Sequence, residues 1–267
     1  MKNKGGTVKK RGCVLETQLR KCGRHPPNVN GRVETFGRML AKFRQHEKKW
    51  VNEMGFGGLL WLQGRGLPRN LCYWVMTLFD PYRLVMKFPG DIDYPIHKSQ
   101  VRWVFGIPHG PKSISLLIKG RKMRKVVEEI EREYGVAVKF RSKFHTVIKI
   151  GDVRNRLKSG FDESEGKAFK LAFMIIVLGD ILCPTTSSRM SKSLYPAVAV
   201  AMNNDDYDWC QLVVDRLVYS GKHFASKFYD DGFARGAGGC TYFFAVSFCF
   251  SFHLLCFPIF VFFGNVY

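Results

Sequence analysis

Four short constellations carry residue types that catalysis or ligand binding could use, and none of them is complete. Cys13, Cys22 and His25 offer zinc-type ligands, but their spacing closes no four-ligand site and a fourth ligand is missing. His46-Glu47 opens an H-E-x-x pattern whose second histidine position is occupied by Trp50, so no metallopeptidase pair forms. The run from Gly106 to Ser113 (GIPHGPKS) has glycines and a lysine like a phosphate-binding loop, with the wrong spacing. Pro111 also removes a backbone N–H such a loop needs, so a helix cap and loop is the expectation. Ser164 and Lys167 match S-x-x-K without the K-T-G or S-D-N that would complete a serine acyl-transfer site. We therefore assign no catalytic, cofactor-binding or metal-ligating residue and no cofactor, and expect a protein that is not an enzyme.

Charge is the stronger signal. The net charge is +20, which favours association with polyanions such as nucleic acid or anionic lipid. Two clusters stand out as import signals or nucleic-acid contacts: Lys9, Lys10 and Arg11, then Lys119, Arg121, Lys122, Arg124 and Lys125. A solvated tail and a solvated helix start are the alternative readings of the two.

The elements that would hold these residues are mainly helical. Residues 1–32 are rich in Gly, Pro and Lys and lack periodicity, which predicts a disordered basic arm. Val33–Met54 places Phe36, Met39, Leu40, Phe43, Trp50, Val51 and Met54 on one helical stripe. The stretch 55–108 holds Trp61, Trp74 and Trp103 between glycine and proline punctuation. It predicts a helix opened by Pro68, a small β-hairpin near residues 83–96, and a third helix over Lys98–Phe105. Gly106 should cap that third helix. Val136–Arg141 and Thr146–Ile150 have strand-like composition, and Ala168–Cys183 is apolar nearly all round, as a central buried helix would be. Another helix is expected from Trp209 toward Phe224. The fold class is thus a mainly α, multi-helix globular domain over 33–240.

Eight cysteines are scattered without a C-x-x-C pair, and no apolar signal region follows the basic start. We expect a reducing compartment, nuclear or cytoplasmic. The uncharged aromatic tail, 241–267, leaves three readings open. Residues 241–263 meet the length of a membrane span, which would tail-anchor the protein with its N-terminus cytosolic. The Phe-Cys-Ser-Val mixture also resembles translated non-coding sequence, such as a retained intron. A buried core element is the third reading, and Tyr242–Val246 could belong to the folded domain under any of them.

The segments EMGFGGLLWL (53–62), LPRNLCYWVMTLFDP (67–81), VRWVFGIPHGPKSI (101–114), LGDILCPTTS (178–187) and YDWCQLVVDRL (207–217) occur in an order that resembles one family. That family is the transposon-derived plant proteins with an aminotransferase-like plant mobile domain, and the resemblance covers about residues 33–245. It implies a helical domain of transposon origin and supplies no catalytic residues to transfer. The aminotransferase label would imply a pyridoxal phosphate lysine in an α/β fold, and neither the strand–helix alternation nor a candidate lysine is present. Longer relatives carry a downstream SUMO-protease-like cysteine peptidase domain that this chain lacks, so a truncated remnant of such a gene is a further reading. Function is expected to lie in protein or nucleic-acid contacts, with a membrane-anchored protein as the alternative.

Overall fold

The computed structural model describes residues 28–29, 32–88, 90–202, 206–230 and 236–251. Its architecture is the expected mainly α one, with ten α-helices among the described residues and two small antiparallel sheets. The first strand, β1 (Asn28–Val29), pairs in parallel with Gly236–Ala237. Structured chain therefore reaches back into the segment that the sequence assigns to the arm. Lys9, Lys10, Arg11, Cys13, Cys22 and His25 lie outside the described residues.

The single helix expected over 33–54 is two: α1 (Val33–Leu40) and α2 (Gln45–Glu53). The break follows from Glu47, whose side chain is buried. A buried carboxylate needs donors, and it takes the Arg44 N–H at 2.7 Å and the Phe161 N–H at 3.0 Å. An unbroken helix would commit the Arg44 N–H to the Leu40 carbonyl instead. Arg44 is extended, with ψ 165°.

A short 3-10 turn, Gly57–Trp61, leads to α3 (Arg69–Leu78). Strands β2 (Phe79–Asp80), β3 (Val85–Phe88) and β4 (Ile92–Pro95) then form an antiparallel meander. It contains the predicted hairpin, with Phe88 opposite Ile92. The third predicted helix is α4 (Lys98–Phe105). Gly106 closes it at φ +59°, donating its N–H to the Arg102 carbonyl at 2.7 Å.

Next come α5 (Gly120–Tyr134) and a hairpin of β5 (Gly135–Phe140) with β6 (Lys143–Ile148). They are followed by α6 (Ile150–Ser159) and α7 (Gly166–Ile176), which continues as a π-helical turn over Val177–Leu182. This run is the buried centre. Phe169 stacks on Phe173 and meets Phe43, Trp50 and Phe161, which docks α2 onto α7. Its one carboxylate, Asp180, is gripped by Arg154 of α6 through Nε at 3.0 Å and Nη2 at 2.6 Å. Burial pushes the Asp180 carboxyl up, and the Arg154 guanidinium offsets part of that rise.

The remaining elements are α8 (Tyr195–Val200), α9 (Trp209–Asp230), β7 (Gly236–Ala237) and α10 (Thr241–Ser251). α8 is wholly buried, an element that the helical patterning of the sequence does not predict. α10 is core as well: Tyr242, Phe243, Phe244, Ala245 and Val246 are buried, and Phe244 meets Phe79 at 4.8 Å. The core therefore passes beyond residue 240. Among the described residues no helix is long and apolar enough to cross a membrane.

The two glycine corners of the 55–108 stretch meet. A Cβ on Gly58 would lie 2.5 Å from the Phe105 carbonyl oxygen and 2.6 Å from Gly106 Cα. Replacing Gly58 by Ala should therefore lower stability by about 1–3 kcal/mol or more, because backbone rather than a side-chain tip must move. Gly151→Ala is the contrast: its Cβ would meet nothing, and it lies in α6. That change should stabilise by about 0.5–1 kcal/mol. Denaturant melts of the two variants check both signs.

Candidate functional site

The loop that superficially resembles a phosphate cradle is closed by other backbone. Gly110 donates its N–H to the Tyr207 carbonyl and Lys112 to the Asp206 carbonyl, both at 3.1 Å. In return Asp208 donates to the Lys112 carbonyl at 2.8 Å and Trp209 to the Pro108 carbonyl at 3.2 Å. These loop amides are therefore committed to backbone carbonyls. The fold brings Lys98, His109, Asp208 and Cys210 together here, which sequence spacing did not reveal. Asp208 Oδ2 lies 2.8 Å from Lys98 Nζ and 3.5 Å from His109 Nε2, and its Oδ1 accepts the Gln211 N–H at 2.9 Å as the cap of α9. Cys210 is buried against the Ile107 and Pro108 carbonyls. Burial and the Asp208 charge push its thiol up to about 12, so it stays protonated near neutral pH and is a poor nucleophile.

The other incomplete motifs also have structural partners. His46 Nε2 lies 2.8 Å from the Phe161 carbonyl oxygen. Lys167, of the S-x-x-K pair, forms an ion pair with Glu129 of α5. Among the described residues no group of three His, Cys, Asp or Glu side chains could hold a metal ion.

The exposed basic surface is different in kind. α5 turns Val127 and Ile130 inward and leaves Arg121, Lys122, Arg124 and Lys125 exposed, with Lys119 exposed just before them. The fold thus keeps all five residues of the second predicted cluster together. Among the described residues none of the five has a carboxylate partner within ion-pair distance. Two of the four carboxylates of the same helix are paired elsewhere, Glu129 with Lys167 and Glu131 with Lys192. Cations at a helix N-terminus also oppose the macrodipole, so their positive potential adds to that of the free N–H groups.

Beyond the other end of α5, the β5–β6 hairpin extends this chemistry, and the sequence reading missed it. Its tip carries Lys139, Phe140, Arg141, Lys143, Phe144 and His145, all exposed. Phe140 and Phe144 are 61% and 71% exposed, so neither is a core residue. The signal available was an aromatic on each side of a turn among cations.

The buried thiols give a direct check. Burial raises Cys72 and pushes Cys183 up to about 12, with Cys240 raised further in the same direction. Alkylation of the native protein at pH 8 should spare Cys72, Cys183, Cys210 and Cys240 until denaturant is added, as read by peptide mapping. Native modification of Cys210 would contradict the assignment of the Asp208 cluster as structural.

No curated protein and no solved structure matches the chain. Residues 29–245 match the family described as Domain of unknown function (DUF8566). The match runs from the strand β1 to the buried part of α10, and so takes in the helical core, the basic end of α5 and the hairpin. The chain belongs to the DUF8566 family.

Proposed function

We propose that this protein is a non-enzymatic module of transposon origin that works by contacting nucleic acid. The observation that carries the reading is the row Arg121, Lys122, Arg124 and Lys125, exposed on the first turns of α5 without carboxylate partners among the described residues. Ion pairs elsewhere on the surface draw lysines toward the body, as Lys167, Lys170 and Lys192 do. Leaving a neighbouring set unneutralised, at the helix end where it is least favourable, fits an external anion as its counter-charge. The net charge of +20 supports the same reading, and transposon origin rests on the resemblance to plant mobile domains. A nuclear site of action follows from the proposed ligand.

The membrane-anchored alternative has less behind it. Tyr242–Val246 are buried in the core, so a span over 241–263 would have to give up the packing of its first turns.

A filter-binding salt titration tests the proposal. Binding at low salt should weaken linearly in log K against log salt. The variant Arg121→Gln, Lys122→Gln, Arg124→Gln, Lys125→Gln should bind more weakly. Its slope should be shallower by about one unit for each cation that meets a phosphate. Absence of low-salt binding, or affinity indifferent to salt, would sink the proposal. A wild-type slope in the variant would remove α5 from the interface.

A further inference from the structure

The β5–β6 hairpin is built in a way that α5 alone does not explain. Phe140 lies opposite Lys143 and Lys139 opposite Phe144, around a two-residue turn of Arg141 and Ser142. Side chains alternate between faces along a strand, so each face of the tip presents one phenyl ring beside one cation. Directly opposed residues have Cβ atoms about 5 Å apart, which lets one side chain reach a base while its neighbour reaches a phosphate.

Two features of the tip run against stability. Both rings are left in water, forgoing the gain that burial gives a phenylalanine. Arg141 holds φ +55°, a region disfavoured for side chains with a Cβ, where glycine or asparagine is the usual choice. Its guanidinium sits 5.6 Å from the Phe140 ring centre. The stem is firmly held: Ile148 is buried and its carbonyl accepts the Met190 N–H at 2.9 Å. A fixed stem with an aromatic and cationic tip is an arrangement for contact.

We propose that this hairpin is a single-strand contact element, in which bases stack on Phe140 and Phe144 while Lys139, Arg141 and Lys143 meet phosphates. The inference rests on the nucleic-acid reading above and assigns it a substrate form. Aromatic faces accept any base, and stacking requires bases that are not already paired. Cations alone would suit an anionic bilayer as well, and the place of Arg141 decides between the two occupants. Arg141 lies at the turn, beyond both rings, so tip-first insertion would drive a guanidinium into hydrocarbon ahead of the apolar groups.

The test compares a thymine-rich 12-mer, a blunt duplex of the same length, and phosphatidylserine vesicles against the full chain and its Phe140→Leu, Phe144→Leu variant. Leucine keeps the apolar surface and removes the aromatic face, and exposed positions should leave the melting temperature unchanged. The wild type should prefer the single strand. The variant should lose about tenfold or more of that affinity, with duplex binding and the salt slope unchanged. Equal binding of both forms by the wild type, or an equal loss of both in the variant, would overturn the hairpin assignment. So would a variant that keeps full single-strand affinity, and vesicle binding in that case would reassign the tip to lipid. Failure to bind any nucleic acid at low salt would overturn the underlying reading and this inference together.

Discussion

The rest of this fold depends on the meeting of two backbones without a side chain between them. Gly58 lies against Phe105 and Gly106 at distances that no Cβ could share, and a Cβ on Gly55 would come within 2.9 Å of the Pro108 ring. The chain leaving α2 is thereby pressed onto the chain leaving α4. That contact fixes where Pro108–Lys112 runs, and the strip it forms with Asp206–Trp209 starts α9. Phe56 then meets Trp209 at 5.2 Å, joining the N-terminal helices to the C-terminal ones through one small junction. Glycine here serves packing between helices and leaves no cradle for a ligand.

A second junction does by polar chemistry what the first does by absence of bulk. Glu47 and His46 from α2 engage the backbone of Phe161, and Arg156 lies over the Phe161 ring at 3.8 Å while pairing with Glu165. Together the two corners tie α2 to the α6–α7 connection on one side and to the start of α9 on the other. With carboxylates of α5 drawn inward to Lys167 and Lys192, the basic end of that helix is left to the solvent side. The surface proposed to bind nucleic acid is thus a by-product of where the body places its acids, together with a hairpin whose tip the body does not cover.

Much of this organisation is legible from the residues. The Lys98–Phe105 helix with its Gly106 cap, the hairpin near 83–96 and the buried run after Glu165 follow from glycine, proline and apolar patterning. The break at Arg44 does not, because it depends on a carboxylate whose second donor, Phe161, is remote in sequence. α8 is too short to show a helical period. The β5–β6 turn lacks the glycine, asparagine or aspartate that marks most tight hairpins, so its strands could be suspected but their pairing could not. The basic cluster of α5 was visible as charge. That its cations lack carboxylate partners among the described residues became visible only once the acids had been placed.

Nucleic acid bound by this protein should meet its body at α5 and the hairpin. Photo-crosslinking a bromouracil-containing single strand to the full chain, followed by peptide mapping, measures this directly. Crosslinks should fall within residues 119–125 and 139–145. Crosslinks confined to residues 1–27, or absent from both elements, would contradict it.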